Sequence, residues 1–101
     1  MPAKQFFEEL ESEVEPEKIR GLNQSYLFDI AGEGRWLVVL ADGAVRVSEG
    51  WEGEADTTIT TSSETFERIA SGEQNPMTAY MSGKLKVSGD LAAALKLQKL
   101  F

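Results

Sequence analysis

Any acid–base chemistry in this sequence must come from carboxylates, lysine or tyrosine, because its 101 residues include no histidine and no cysteine. Histidine is the only side chain whose unperturbed titration falls near neutrality, and the commonest metal ligand. Its absence excludes Ser-His-Asp and Cys-His mechanisms. The absence of cysteine removes disulfides and Cys-ligated zinc. Carboxylates remain in close pairs, Glu8 with Glu9, Glu52 with Glu54 and Glu64 with Glu67. Acid–base work needs a carboxyl group pushed from its usual pKa by burial or a neighbouring charge. These pairs fall in predicted loops or on polar helix faces, where nothing implies burial. Tyr80 and Asp90 are the remaining candidates. Tyr80 reads as a core aromatic with a wet hydroxyl, and Asp90 as a helix cap.

Two runs come close to phosphate-binding motifs and miss. Gly32-Glu33-Gly34-Arg35-Trp36-Leu37 has Leu where a dinucleotide fingerprint needs its third glycine, and it leads into a strand, not a helix. Gly83-Lys84 has Thr78 where a P-loop needs its first glycine and Leu85 where it needs Ser or Thr. Neither an EF-hand spacing nor a Gly-x-Ser-x-Gly elbow is present.

The elements that would position any site follow from periodicity. Phe6, Phe7, Leu10 and Val14 recur at three- and four-residue steps within residues 3–20, which predicts an amphipathic helix broken at Pro16. Residues 25–31 alternate as a strand, with Tyr26, Phe28 and Ile30 on one side. Residues 35–40 follow, with Trp36, Val38 and Leu40 on one side. Asp42-Gly43 is a strong hairpin signal and leads into Val45-Arg46-Val47. Residues 55–61 are dense in β-branched types and predict a fourth strand. Ser62 or Ser63 caps a short helix carrying Phe66, Ile69 and Ala70. Asn75-Pro76 opens another, with Met77, Tyr80 and Met81 as its apolar stripe. Residues 84–88 form a fifth strand, and a last helix follows Gly89-Asp90. The layout is one α+β domain over residues 1–101, a five-stranded, mainly antiparallel sheet with helices packed on one face.

The formal charge is −7, and 42% of residues are hydrophobic. Phosphate backbones and anionic lipid surfaces repel such a chain on average, which argues against a nucleic-acid partner. The single basic cluster is Lys84, Lys86, Lys96 and Lys99, and its default reading is a solvated helix face. No apolar run approaches the ~20 residues of a membrane span. The first residues lack the apolar stretch of a signal peptide, so a cytoplasmic location is expected.

Several motifs together resemble one family. Ala55-Asp56-Thr57-Thr58-Ile59-Thr60 is similar to the family's A-D-x-T-I-T strand. Residues 75–90, Asn75-Pro76-Met77-Thr78-Ala79-Tyr80-Met81-Ser82-Gly83-Lys84-Leu85-Lys86-Val87-Ser88-Gly89-Asp90, resemble its n-P-x-x-A-f-M-x-G-K-l-K-v-x-G-D signature. Leu95-Lys96-Leu97-Gln98-Lys99-Leu100 resembles its closing L-K-L-x-x-L. Phe28-Asp29-Ile30, Trp36 and the Asp42-Gly43 hairpin fit upstream. On these residues the chain is identified as a member of the sterol carrier protein 2, or nonspecific lipid-transfer, family.

The resemblance implies an apolar tunnel between sheet and helices for a fatty acid, acyl-coenzyme A, phospholipid or sterol, and no catalysis or cofactor. The matching lipid-contact positions are Phe28, Ile30, Trp36, Val38, Phe66, Ile69, Met77, Tyr80, Met81, Leu85, Val87, Leu91, Leu95, Leu97, Leu100 and Phe101. Sequence does not separate those that line a cavity from those that fill core. The late helices are short and bounded by Gly72, Gly83 and Gly89, which suits a lid. Longer relatives carry a further C-terminal segment. Its absence would leave the tunnel mouth open or expose apolar surface for a homodimer. The ending Lys99-Leu100-Phe101 is not the Ser-Lys-Leu peroxisomal address. By the same resemblance, a second role is a non-catalytic interaction module serving a lipid-metabolising enzyme.

Overall fold

The structure, a computed structural model, describes residues 3–13, 15–50 and 53–96. Helix α1 (Ala3–Glu13) and a single 3₁₀ turn (Pro16–Ile19) precede strands β1 (Gln24–Ala31), β2 (Gly34–Ala41), β3 (Ala44–Glu49) and β4 (Thr57–Ser62). Helices α2 (Ser63–Ala70) and α3 (Pro76–Met81), strand β5 (Leu85–Gly89) and helix α4 (Leu91–Lys96) complete the order. Helix α1 stops at Glu13, and Pro16 opens the 3₁₀ turn at a position where its missing N–H has no intrahelical partner to lose. Asp42 and Gly43, at φ 53° and 73°, close β2–β3 as a two-residue turn whose twist matches the strands.

The strand order is β3-β2-β1-β4-β5. Neighbours are antiparallel except β1 and β4, which run parallel in the centre with Phe28 opposite Ile59. That pairing makes the sheet mixed, though mostly antiparallel. A parallel neighbour needs a crossover, and the β2–β3 hairpin forms part of the segment that makes it.

Register decides the faces. Phe28 pairs with Trp36, Tyr26 with Val38, and Val38 with Val47. Ile59 pairs with Val87 and Thr61 with Leu85. All point to one inner face, where α1, α2 and α4 supply Phe7, Leu10, Phe66 and Ala93 to a common core. The opposite face presents Asp29, Arg35, Arg46, Thr60 and Lys86, half-exposed or exposed, with Leu27 buried among them.

Helix α1 is fixed at both ends. The Ala3 N–H donates to Glu33 Oε1 at 3.1 Å, and Glu11 Oε2 accepts the Val47 N–H at 2.7 Å. The second bond satisfies a donor of edge strand β3 that has no strand beside it. Ser62 caps α2 by accepting the Thr65 N–H, and Asn75 caps α3 by accepting from Met77 and Thr78.

Candidate functional site

The inner face gathers four rings around Phe7. Its ring stacks on Trp36 and Phe66, with centroids at 5.0 and 5.4 Å, and lies tilted against Phe28 at 5.1 Å. Phe6 meets both Phe7 and Phe66 edge-on. Such pairs add to what area burial supplies. The arrangement arises because Phe7 sits on the core side of α1 while Phe28 and Trp36 are cross-strand neighbours.

Beside this cluster, between α1 and strands β2 and β3, lies an open pocket of about 230 Å³. Phe7, Trp36 and Val47 form its apolar lining, and Lys4, Glu8, Glu11 and Glu49 also border it. Of its three apolar members Phe7 and Trp36 are buried and Val47 is half-buried, while its charged members are exposed and remain in water.

Helix α4 is held to the sheet differently. The buried Tyr26 hydroxyl donates to the Ala93 carbonyl at 2.9 Å, and Thr57 Oγ1 donates to the Asp90 carbonyl at 3.3 Å. Asp90 Oδ1 accepts the Ala93 N–H at 3.1 Å, so Asp90 acts as a cap. Burial, then the carboxylates of Asp90 and Asp56, raise the Tyr26 pKa above its ordinary 10.0. A neutral hydroxyl that stays a donor is the consequence.

The sixteen sequence-predicted positions divide. Phe28, Ile30, Trp36, Val38 and Phe66 are buried in the common core, and Leu85 and Val87 pack on it from β5. Ile69 is buried outside that cluster. Met77 and Tyr80 are half-buried, while Met81 is 78% exposed and Leu91 39%. Helix α3 has under two turns, and it buries Ala79 rather than the two methionines. Leu95 lies on α4 with its side chain outside the description, and Leu97, Leu100 and Phe101 lie outside the described residues. Among the described members of the sixteen, Trp36 alone borders the pocket. Sequence reasoning placed Phe7, Val47 and Tyr26 in elements but not in the site. The Phe7 position on the α1 apolar stripe and the inward parity of Tyr26 were the available signals.

A mixed, mostly antiparallel sheet under helices, with an aromatic inner face, defines a small α+β domain. The match to the SCP-2 sterol transfer family covers residues 3–101, and the chain belongs to that family. The chain is 35% identical over 102 residues to hydroxysteroid dehydrogenase-like protein 2 of Xenopus tropicalis, covering 98% of this chain and 24% of that protein. It is 34% identical over 102 residues to sterol carrier protein 2 of Homo sapiens, covering 93% of this chain and 19% of that protein. The chain thus spans a quarter or less of these relatives. In fold it is similar to palmitated SCP2L2 from Aedes aegypti, with a TM-score of 0.80, 24% identity, and coverage of 99% of this chain and 94% of that one. No described helix is long and apolar enough to cross a membrane.

Proposed function

We propose that the chain is a non-catalytic carrier that holds an aliphatic ligand, a fatty acid, acyl-coenzyme A, phospholipid or sterol, against the inner face of its sheet. The observation that carries this reading is the aromatic floor of Phe7 and Trp36, which borders an open pocket at the edge of the core. The palmitated state of the Aedes aegypti protein supports the same ligand class. Burying a methylene contributes ~0.8 kcal/mol, so a dozen give ~10 kcal/mol before the several lost to ordering. The balance corresponds to micromolar affinity with little head-group selectivity.

The pocket of about 230 Å³ is smaller than the ~300–1,000 Å³ of sites that enclose a whole ligand. It accepts part of an acyl chain, and the remainder requires an element to part from the sheet. Helix α4 packs on the core through Ala93 and Ala94, and two hydrogen bonds from strands reach Ala93 and its cap residue Asp90, each worth ~1 kcal/mol net. Helix α1 instead buries Phe7 under four other rings. We therefore assign the opening motion to α4, with the predicted contacts on α3, α4 and residues 97–101 engaging the chain once it enters.

A second reading is an interaction or dimerisation module for a lipid-metabolising enzyme, favoured by the small share of each longer relative that the chain spans. Native mass spectrometry of the protein purified from its host, with lipid extraction, separates the two. A stoichiometric lipid adduct supports the carrier. An apo mass unmoved by oleate or acyl-coenzyme A, with a stable homodimer, leaves the module.

A further inference from the structure

We propose that the outer face of the sheet, opposite the aromatic inner face, docks an acidic amphipathic helix of a protein partner. The apolar stripe of that helix lies on Leu27, Leu37 and Val39, and its carboxylates reach Arg46 and Lys86. The inference rests on register and charge, and it stands whether or not the inner face carries a lipid.

Strand β2 runs Trp36-Leu37-Val38-Val39-Leu40, apolar without a break. A strand with one solvated face alternates apolar and polar residues, whereas an unbroken apolar run is the pattern of a strand covered on both sides. In this fold one side is filled. Trp36, Val38 and Leu40 are buried in the common core, while Leu37 and Val39 are half-buried on the other side. Leu37 pairs with Leu27 of β1, and Leu27 pairs in turn with Thr58 of β4. Leu27 is 5% exposed and lies outside the common core cluster. Val39 shares the face of Leu37, two residues along the same strand. Cross-strand and same-strand neighbours thus form one aliphatic centre on the outer face.

Charge flanks that centre. The outer-facing strand positions carry Arg35, Arg46 and Lys86 against Asp29, a formal +2 on a chain whose total is −7. Asp29 is paired with Arg35 at 3.3 Å. Arg46 and Lys86 are exposed and stand on the two edge strands, β3 and β5. Four strand spacings of ~4.8 Å put those edges ~19 Å apart. A helix ~10–12 Å across fits between them, over β1 and β2, with carboxylates on both flanks within reach of the cations. Of the acidic residues beside the strands, Asp56 accepts from the Ser25 N–H and hydroxyl, Glu33 accepts the Ala3 N–H, and Asp42 sits at the hairpin tip. An apolar centre with a charged rim is the layout of a protein interface. The outer strand positions hold no aromatic ring, so they lack the stacking platform of a nucleic-acid surface. A net positive face also repels a second copy of itself, which disfavours face-to-face pairing.

The test uses two synthetic helical peptides with the same leucine stripe, one flanked by glutamates and one by lysines. Each is titrated into the full chain carrying labelled methyl groups, followed by NMR. The glutamate peptide is expected to shift the Leu37 and Val39 methyl signals saturably, to leave those of Val38 and Ile59 in place, and to bind more weakly as salt rises. The lysine peptide should not bind. Arg46→Glu with Lys86→Glu should weaken the glutamate peptide about tenfold or more. Both sites are exposed, so the melting temperature should match the wild type. Val39→Thr keeps the branched shape and should weaken binding several-fold. Equal binding of the two peptides, shifts centred on Val38 and Ile59, or a charge reversal without effect overturns the proposal. So does a Leu37 and Val39 response to protein concentration, phosphatidylserine vesicles or duplex DNA in place of the glutamate peptide.

Discussion

The ring of Phe7 lies almost parallel to the indole of Trp36, with centroids 5.0 Å apart and planes 18° from parallel. This contact joins α1 to the second strand at the border of the pocket. It gives one side chain two duties, closing the core and flooring the candidate site. Helix α1 is thereby held to the core, while α4, to which Tyr26 donates a hydrogen bond, is the element proposed to move.

Phe7→Ala removes the hub of the cluster. Truncating a buried phenylalanine costs ~3–5 kcal/mol. A domain of this size has only ~5–15 kcal/mol in total. Urea unfolding should place the variant near the edge of stability, with Phe6→Ala, at a half-buried position, losing less. An equal loss for the two would show that Phe7 is not the hub.

Tyr26→Phe keeps the ring and deletes the bond to the Ala93 carbonyl. Stability should fall by ~1–2 kcal/mol, and loaded oleate should exchange faster if α4 is the moving element. The wild type also carries a pH signature. The folded pKa of Tyr26 is raised, so the folded state holds that proton more tightly than the unfolded chain. Its contribution is fully present below the ordinary value of 10.0 and is lost as pH climbs through the higher folded value. Denaturation between neutral and strongly alkaline pH should show a smaller alkaline loss in Tyr26→Phe. Parallel pH curves for the two proteins would contradict this.

Gly89 is expected to resist substitution for two independent reasons. Its φ is +105°, and an added Cβ would collide with the Asp56 carbonyl, which is backbone and cannot swing aside. Gly89→Ala should cost about 2 kcal/mol or more, measured by thermal melting. The sequence suggested Gly89 as a bound of a mobile lid. The structure adds that the glycine is needed for the close approach of β5 to the residues that begin β4, so an exchange assay on such a variant must be read beside its stability.

Much of the fold was legible because its signals are local. The break at Pro16, the Asp42-Gly43 turn, the Ser62 and Asn75 caps and the parity of Tyr26, Phe28, Trp36 and Val38 each depend on a few neighbouring residues. The parallel pairing of β1 with β4 was not legible, since residues 25–31 and 57–62 carry no mark of strand direction. The stripe proposed for α3 illustrates the other limit. Met77, Tyr80 and Met81 have helical spacing, but in a six-residue helix it is contact with the rest of the fold that selects Ala79 for burial. The roles of Phe7 and Tyr26 were hidden for the same reason. A partner 29 residues away for one and 67 for the other is a tertiary fact.

The most direct test of the account is to ask whether an acyl chain reaches Trp36. The chain has two tryptophans, so Trp51→Phe leaves Trp36 as the only indole. Titration of that variant with a bromine-labelled fatty acid should quench its fluorescence saturably, with a micromolar midpoint, and unlabelled oleate should reverse the quenching. Quenching that never saturates, or a Trp36 signal unmoved while oleate binding is seen by mass, would contradict the placement of the ligand on the inner face beside Phe7 and Trp36.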